Sequence, residues 1–404
     1  MPFSMIKLLS AILLIALIGL PAMAREIDSN KLQVFIMAGQ SNTVGHCNFI
    51  TLARIPADER KEINSLTGLV FKDGQRATPE EVDAIIVAEM ERNELNQKLK
   101  KKEITGEAEI AAAQSKVKEL DAKAKAGREA IRAKLAVSDQ VYISSIADRN
   151  TGNGPLTAGF GASKDKLGPE LGFGMSMANK LDAPILIIKT SWGGKSLEYN
   201  FRPPSAGPYK LLEKQQAAEN KDQILKDAGH FYRLMSEHVN KVLGDLKTYH
   251  PAYDEKAGYE LAGFVWFQGF NDQFSDQYRD NYASNMVHFV KDVRKEFKAP
   301  DMPFVIGVLG TGKTDEKIAE NKVSMGQITA AKHPDIKDNA TAVQSHKYWD
   351  WSAQEVFDKG WAKHYRQWAA VGSDRPYHYL GSGKFFVSFG NGLADAMHGL
   401  IEKQ

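Results

Sequence analysis

Apolar runs rich in β-branched residues alternate with helix-like segments along most of the chain. The runs lie at residues 33–38, 183–189, 261–267 and 302–309. The helical patterns lie at about 168–181, 208–245, 278–298 and 315–332, with a last one at about 383–402. Because each run is almost entirely apolar, it predicts a strand buried on both faces, and the alternation favours an α/β fold with a mostly parallel sheet. Ligands bind such sheets at the carboxyl ends of the strands, so we expect the chemistry directly after each run.

The composition is that of a globular chain and excludes several classes of function. Of the 404 residues, 43% are hydrophobic and 25% are charged, which is ordinary for globular domains. The formal net charge of +2 excludes the strong basic field typical of nucleic-acid-binding proteins. A single cysteine excludes a disulfide framework within the chain and a cysteine-cluster metal site. At roughly 100–200 residues per domain, the length allows two or three domains, or one enlarged α/β domain with an insertion.

Residues 1–24 have the pattern of a signal peptide. Lys7 supplies a positive charge, residues 8–20 are almost entirely apolar, and Ala-Met-Ala at 22–24 offers small residues for cleavage. We therefore expect cleavage after Ala24 and a secreted or periplasmic protein that leaves the membrane once the signal is removed. The alternative is an uncleaved membrane anchor, although a run of about 13 apolar residues is short of the ~20 needed to span a bilayer.

Residues 51–137 form a separate block in which opposite charges are balanced and apolar residues recur at helical spacing. Thr-Pro-Glu-Glu at 78–81 combines a helix N-cap, a proline at the first helical position and a capping-box glutamate. A second segment places a heptad seam at residues 110, 113, 117, 120, 124, 127 and 131. We expect an antiparallel helical hairpin of coiled-coil type, inserted into an α/β domain that comprises residues 25–50 and 138–404. The alternative is an arm that binds a protein partner.

Small polar residues follow three of the predicted strands. Ser41 follows the first, Gly193 and Gly194 follow the second, and Asn271 follows the third. A serine at a strand-to-helix turn can expose its hydroxyl while its own backbone N–H contributes to an anion site. Glycine N–H groups and an asparagine amide can stabilise an oxyanion in the same place. Each residue alone could serve a helix cap or a tight turn, but together they favour an acyl-transfer site.

Four blocks, in this order, resemble those of the SGNH hydrolases: Gly-Gln-Ser-Asn at 39–42, the glycine loop at 190–196, Gly-Phe-Asn-Asp at 269–272 and a histidine near the C-terminus. With Ser-Trp-Gly-Gly at 191–194 and Trp-Phe-Gln-Gly at 266–269, the chain is most similar to the sialate O-acetylesterase and acetylxylan esterase branch of carbohydrate esterases. The resemblance covers about residues 30–50 and 150–400. It implies a flavodoxin-like three-layer α/β/α domain, no cofactor, and hydrolysis of O-acetyl esters on sugars.

The resemblance also implies individual roles. Ser41 matches the nucleophile and, through its N–H, part of the oxyanion hole, to which Gly193 or Gly194 and Asn271 also contribute. His378 fits the general base best because it lies in a loop just before the last helical pattern, and His46 is its main rival. A neutral imidazole is needed to accept the serine proton, and an ordinary histidine pKa near ~6.5 suits that task.

The orienting acid departs from the family pattern. The usual spacing places an aspartate three residues before the histidine, whereas Asp374 lies four before His378. Asp374 is therefore the expected third member of the triad, with another acid, a backbone carbonyl or a simple turn role as alternatives.

Four further residues are candidates for binding substrate or arranging the site. Gln40 and Gln268 flank the nucleophile and the asparagine block, Trp192 could offer its ring to a sugar, and Arg202 could meet a carboxylate or sulfate. A structural ion pair is the alternative for Arg202.

The sequence thus predicts a serine esterase that removes O-acetyl groups from sugars or polysaccharides, with an acetylated carbohydrate as its partner and no nucleic acid. No metal is expected, because the chain lacks a His-Glu-x-x-His pattern or a close cluster of histidines and acids in sequence. The alternative is a glycan-binding or scaffold protein with a degenerate esterase site.

Overall fold

Nine strands form one large and one small sheet in the computed structural model, which describes residues 28–57, 66, 68–72 and 75–404. In chain order they are β1 (Leu32–Gly39), β2 (Cys47–Asn48), β3 (Val141–Ala147), β4 (Asn150–Pro155), β5 (Lys166–Leu167), β6 (Ile185–Ser191), β7 (Tyr259–Phe267), β8 (Phe304–Val308) and β9 (Ala340–Gln344). The large sheet has the order β4-β3-β6-β1-β7-β8-β9, and β2 pairs with β5 separately. All neighbours in the large sheet are parallel except β3 and β4.

Fourteen α-helices occur among the described residues, numbered in chain order. They are α1 (Ser41–Val44), α2 (Pro79–Lys100), α3 (Glu107–Lys134), α4 (Glu170–Ala178), α5 (Glu213–Gln216), α6 (Lys221–Asp227), α7 (His230–Leu243), α8 (Leu246–Tyr249), α9 (Asp276–Glu296), α10 (Asp315–Glu320), α11 (Lys322–Ala331), α12 (Trp351–Asp358), α13 (Tyr365–Val371) and α14 (Gly383–Ile401). Short 3₁₀ segments include Phe49–Ala57, Phe270–Phe274, Ser345–Tyr348 and Pro376–Gly381.

The predicted α/β architecture is confirmed. The order β6-β1-β7-β8-β9 is that of a flavodoxin-like sheet, and the β3–β4 hairpin extends it beyond β6. Side chains alternate across β1: Val34 and Ile36 face a core shared with α7 and α9, whereas Phe35 and Met37 face a core shared with α4 and α14. Both faces of the central strands are therefore buried, which is why these runs are mostly apolar.

Some strands and helices differ from the sequence pattern for visible reasons. β3 carries two serines and β9 is half-buried at the sheet edge, so neither is an unbroken apolar run. The single helical pattern predicted at 208–245 is divided into three helices, the last of which begins after Gly229. Gly229 has a φ of 72°, a left-handed conformation that interrupts an α-helix.

The two helices predicted within residues 51–137 are present and lie antiparallel. The capping box at Thr78 and Glu81 starts α2, and ion pairs join Glu89 to Arg128 and Asp121 to Arg92 across the pair. The buried side of both helices belongs to the same apolar core as β1 and α14. The domain boundaries of this hairpin remain a prediction.

The predicted signal peptide, residues 1–24, lies outside the described part of the chain. Among the described residues, we find no helix with both the length and the apolar character needed to cross a membrane.

Candidate active site

The loops after three neighbouring parallel strands meet at one edge of the sheet. Gly39, at the end of β1, is paired with Ser191 at the end of β6 and with Phe267 at the end of β7. The serine, glycine and asparagine blocks predicted from the sequence directly follow these three positions. The strand order β6-β1-β7 therefore brings the three blocks together, as the carboxyl ends of a parallel sheet require.

The turn that carries Ser41 is tightly constrained. The carbonyl of Gln40 accepts hydrogen bonds from the N–H groups of Thr43 and Val44, both at 2.8 Å, so α1 begins at Ser41. The Thr43 hydroxyl donates to the carbonyl of Phe267 at 2.5 Å. Ser41 itself retains 8% of its accessible surface, so the turn leaves it a narrow opening.

Gly39 makes this turn possible. A Cβ atom at this position would lie 2.2 Å from the Phe267 carbonyl oxygen and 2.3 Å from the Thr43 hydroxyl. Its φ of 159° is likewise unfavourable for residues with a side chain. A glycine is therefore required for β1 and β7 to stay paired right up to the serine.

Gln40 connects the serine block to the asparagine block. Its Oε1 atom accepts hydrogen bonds from the Gln268 amide at 3.2 Å and from the N–H groups of Gly269 and Asn271 at 3.4 Å and 3.3 Å. Its Nε2 atom is buried and finds no hydrogen-bond acceptor among the described residues. Gln40 thus fixes the position of Asn271 through the backbone rather than through the Asn271 side chain.

Gln268 and Asp272 tie the glycine loop to the same position. The Gln268 amide donates to the Lys195 carbonyl at 2.9 Å and to Asp272 Oδ2 at 2.6 Å. Asp272 also accepts from the N–H groups of Leu197 at 3.0 Å and Glu198 at 3.1 Å. Complete burial raises the pKa of Asp272 to about 7, although these hydrogen bonds oppose the shift. Asp272 was not among the predicted site residues, although its place directly after Asn271 was a signal in the sequence.

The two glycines of the loop after β6 differ in their contacts. The N–H of Gly193 donates to Asp148 Oδ1 at 2.7 Å. Gly194 has a φ of 71°, and no described residue accepts a hydrogen bond from its N–H. Of the two candidates for the oxyanion hole, Gly194 therefore has the available donor, and Asp148 shapes the loop through Gly193.

His378 and Asp374 are brought together in spite of their unusual spacing. His378 Nδ1 lies 3.0 Å from Asp374 Oδ1. The loop closes because the N–H groups of Ser373 and Asp374 both donate to the Leu380 carbonyl. Tyr379 and Leu380 have φ values of 50° and 62°, which reverse the chain just after the histidine. The loop thus brings Asp374 to His378 although three residues separate them in the sequence.

A second histidine shares the same carboxylate. His46 Nδ1 lies 3.5 Å from Asp374 Oδ2, and its ring stacks on that of His378 with centroids 4.1 Å apart. Lys166 Nζ lies 3.6 Å from the same oxygen. His46, predicted as the rival base, therefore lies in the same group of side chains as Asp374 and His378. The sequence did not indicate Lys166, because β5 lies outside the four blocks.

Burial and hydrogen bonding have opposite effects on the pKa values of Asp374 and His378. Burial alone would raise the pKa of Asp374, but hydrogen bonds from His378, His46 and the Arg375 N–H outweigh it and hold the pKa well below its usual range. Burial lowers the pKa of His378, the hydrogen bond to Asp374 raises it, and the nearby His46 lowers it, with a net decrease. Asp374 is thus an anion, and His378 stays neutral to a lower pH than an ordinary histidine does.

The same three side chains are the group that could hold a metal ion. Among the described residues, ligand atoms of His46, Asp374 and His378 all lie within 4.8 Å of one another. The Lys166 ammonium beside Asp374 opposes the binding of a cation there.

The remaining predicted binding residues are placed around the glycine loop. Trp192 packs against Phe231 with ring centroids 5.2 Å apart and is half-buried. Arg202 donates to the carbonyls of Ala206 and Gly207 at 2.9 Å and 2.8 Å and pairs with Glu198 at 3.3 Å. Its guanidinium is therefore used to hold the following loop, which favours the structural ion pair left open by the sequence.

Taken together, the site contains the groups needed for acyl transfer. α1, which starts at Ser41, packs against the 3₁₀ segment that contains His378. A neutral imidazole held by an anionic carboxylate can accept a serine proton, and nearby N–H and amide donors can stabilise an oxyanion.

The chain matches a known family. The family model described as "Carbohydrate esterase, sialic acid-specific acetylesterase" matches residues 150–353, half of the 404-residue chain. The matched range contains Gly194 and Asn271, whereas Ser41, Asp374 and His378 lie outside it. The search of curated proteins found no match.

Three solved structures are similar to this chain at low identity. A protein from Arabidopsis thaliana, AT4G34215, is 14% identical with a TM-score of 0.44, and the alignment covers 91% of this chain and 98% of that one. The carbohydrate acetylesterase XAC1771 from Xanthomonas citri is 13% identical with a TM-score of 0.35, covering 77% and 49%. NanS is 13% identical with a TM-score of 0.38, covering 79% of each chain.

Proposed function

Because the chain belongs to the sialic acid-specific acetylesterase family of carbohydrate esterases, and so to a group of ester-hydrolysing enzymes, we propose that it removes O-acetyl groups from sugars through an acyl-enzyme formed on Ser41. The observation that carries this mechanism is the 3.0 Å contact between His378 and Asp374, in a segment packed against the helix that begins with Ser41. The leader at residues 1–24 supports export as the cellular setting of this activity.

In the first half of the reaction, Ser41 Oγ attacks the acetyl carbonyl carbon. His378 accepts the Ser41 proton at Nε2 while its Nδ1–H donates to Asp374, which stabilises the imidazolium. The negative charge on the carbonyl oxygen is held by the N–H groups of Ser41 and Gly194 and by the Asn271 amide. The C–O bond to the sugar then breaks, and His378 returns the proton to the departing sugar hydroxyl.

In the second half, water replaces the sugar. His378 accepts a proton from the water as its oxygen attacks the acetyl carbonyl, and the same donors hold the oxyanion. The bond to Ser41 Oγ breaks, the serine regains its proton from His378, and acetate leaves. The connections made by Gln40, Gln268 and Asp272 keep the three loops in register during both steps, because they join the serine, glycine and asparagine blocks.

The experiment that tests this proposal measures acetate release from acetylated xylan, O-acetylated sialic acids and other acetylated polysaccharides by the purified protein. We expect release from at least one of them, and mass spectrometry of the protein quenched during turnover should show one acetyl group on the peptide that contains Ser41. Folded protein that releases no acetate from any member, nor from an activated acetyl ester, would overturn the esterase function and favour a glycan-binding protein.

A further inference from the structure

A cavity of about 290 Å³ lies between the helical hairpin and the segment that leads to the catalytic loop. Its walls include Glu89 on α2, Arg128 on α3, Trp361, Tyr365 and Asp374. Asp374 is the residue whose other contacts hold His378 and His46. The cavity is therefore separated from the base of the proposed reaction by a single side chain.

The hairpin wall of the cavity is a fixed polar surface. Arg128 Nη2 lies 2.7 Å from Glu89 Oε1, and Arg128 Nη1 donates to Asn48 Oδ1 at 3.3 Å. Arg128 and Glu89 have side chains only 19% and 17% exposed, so both are held in place rather than free to extend into solvent. Such a pair offers donors and acceptors in defined positions, which is the requirement for recognising hydroxyl groups.

A second part of the lining is aromatic. Trp361 and Tyr365 are half-buried and line the cavity, and the Arg375 guanidinium lies 4.2 Å from the centre of the Trp361 ring. α13, which begins at Tyr365, also packs against α2. A cavity lined by both aromatic and polar side chains suits a ligand with one apolar face and a rim of hydroxyl groups, as a pyranose has.

We propose that this cavity binds a neutral sugar unit of the chain that carries the acetylated one, so that the enzyme acts on chains rather than on single sugars. This inference rests on the proposed esterase function. The charges support a neutral unit, because the arginines at 128 and 375 are balanced by the carboxylates at 89 and 374. Ligand pockets usually have volumes of about 300 Å³ or more, and this cavity lies near that lower limit. Its size therefore suits one sugar unit rather than a long chain. The hairpin then has a defined role, since it supplies the polar wall.

The test measures binding of neutral hexasaccharides without acetyl groups (xylohexaose, cellohexaose, mannohexaose and maltohexaose) to the full-length Ser41→Ala protein by calorimetry. We expect at least one to bind, and Trp361→Ala or Arg128→Ala in the same background to weaken its affinity at least tenfold. Arg375→Ala, a change at an exposed side chain, should weaken it as well and serves if the other two variants do not fold. Trp351→Ala is the matched control, because Trp351 is 54% exposed and does not line the cavity.

The results separate this inference from the proposed function. Suppose that the protein with Ser41 intact releases acetate. The sugar site would then be overturned, while the esterase function stands, if Ser41→Ala binds none of the hexasaccharides. The same holds if Ser41→Ala binds them no more tightly than its variants at 128, 361 and 375 do. Binding that is lost in these variants, in a protein that releases no acetate, would keep the site and overturn the esterase. Tighter binding of hexagalacturonate than of every neutral hexasaccharide would overturn the assignment of a neutral unit.

Discussion

The imidazole ring of His46 lies parallel to that of His378, with centroids 4.1 Å apart and planes inclined by 3°, and the Nδ1 atoms of both face the carboxylate of Asp374. One carboxylate thus serves two imidazoles that cannot both become charged without repelling each other. The distances favour His378 as the oriented base, since its contact with Asp374 is 3.0 Å against 3.5 Å for His46.

The first prediction separates the two histidines. His378→Ala should lower kcat by about 10²–10⁴, the usual contribution of a general base, whereas His46→Ala should retain most of the activity. His46→Ala should also move the acidic limb of the kcat/KM profile to higher pH, because His46 lowers the pKa of His378. The measurement is the pH profile of both variants on one acetyl ester. Full activity in His378→Ala together with its loss in His46→Ala would assign the base to His46.

The second prediction concerns pH and Asp374. The proposed mechanism requires neutral His378, whose pKa burial lowers from the ordinary value of 6.5, so kcat/KM should fall only as the pH decreases below that value. Asp374→Asn removes the contact that raises the pKa of His378 and should move this limb to still lower pH. In a serine protease triad the equivalent change lowers kcat by about 10⁴. A loss of only a few-fold, with an unchanged limb, would show that Asp374 is a turn residue.

The third prediction concerns the nucleophile. Ser41→Ala should abolish turnover, because no other hydroxyl is held at the start of α1 in this position. The change should leave the thermal unfolding temperature nearly unaltered, since the turn is held by the Gln40 carbonyl and by Thr43 rather than by the Ser41 side chain. Ser205→Ala, at an exposed serine, is the matched control. Turnover equal to that of the parent in Ser41→Ala would remove Ser41 from the mechanism.

The fourth prediction concerns the oxyanion hole. Asn271→Ala should lower kcat by about 10²–10³ with little change in KM, because the amide acts on charge that develops in the transition state. The loop itself should persist, since Gln40 holds the Asn271 N–H and not its side chain. Steady-state kinetics on an acetyl ester provide both constants. An increase in KM at constant kcat would instead assign Asn271 to substrate binding.

The fifth prediction concerns stability and Asp272. Folding raises the pKa of Asp272 from 3.8 to about 7, so the folded protein retains a proton there that the unfolded chain releases. The stabilisation by this group is complete below pH 3.8 and is lost as the pH rises to about 7. The free energy of unfolding of the parent, minus that of Asp272→Asn, should therefore fall across this window by up to about 1.4 kcal/mol per pH unit.

Urea unfolding at pH 5, 6, 7 and 8 measures that difference. It should decrease up to about pH 7 and then become constant, and Asp182→Asn, at an exposed aspartate, is the matched control. A difference that is the same at all four pH values would mean that Asp272 is ionised throughout, held by the N–H groups of Leu197 and Glu198.

Sequence periodicity alone predicted the layers of this fold. The apolar runs became β1, β6, β7 and β8 because burial on both faces favours apolar side chains. A buried polar side chain there needs a partner, as Lys189 of β6 has in Glu170 at 2.7 Å. The capping box at Thr78 and Glu81 was predictable for a similar reason, as its hydrogen bonds lie within four residues. The blocks around Ser41, Gly194 and Asn271 were also evident in the sequence, because each directly follows a strand.

Contacts between distant residues were decided by tertiary structure. His46 and Lys166 reach Asp374 only because α1, β5 and the segment before α14 meet beside the sheet, and no local pattern records that meeting. The contact of His378 with Asp374 depends on the left-handed turn at Tyr379 and Leu380, which the surrounding packing must hold against its conformational cost. The sequence by itself determined which elements form and which strand ends carry reactive groups, since those depend on interactions between near neighbours. Which side chains share a proton, a carboxylate or a cavity was decided only by packing, because those distances depend on the arrangement of the whole chain.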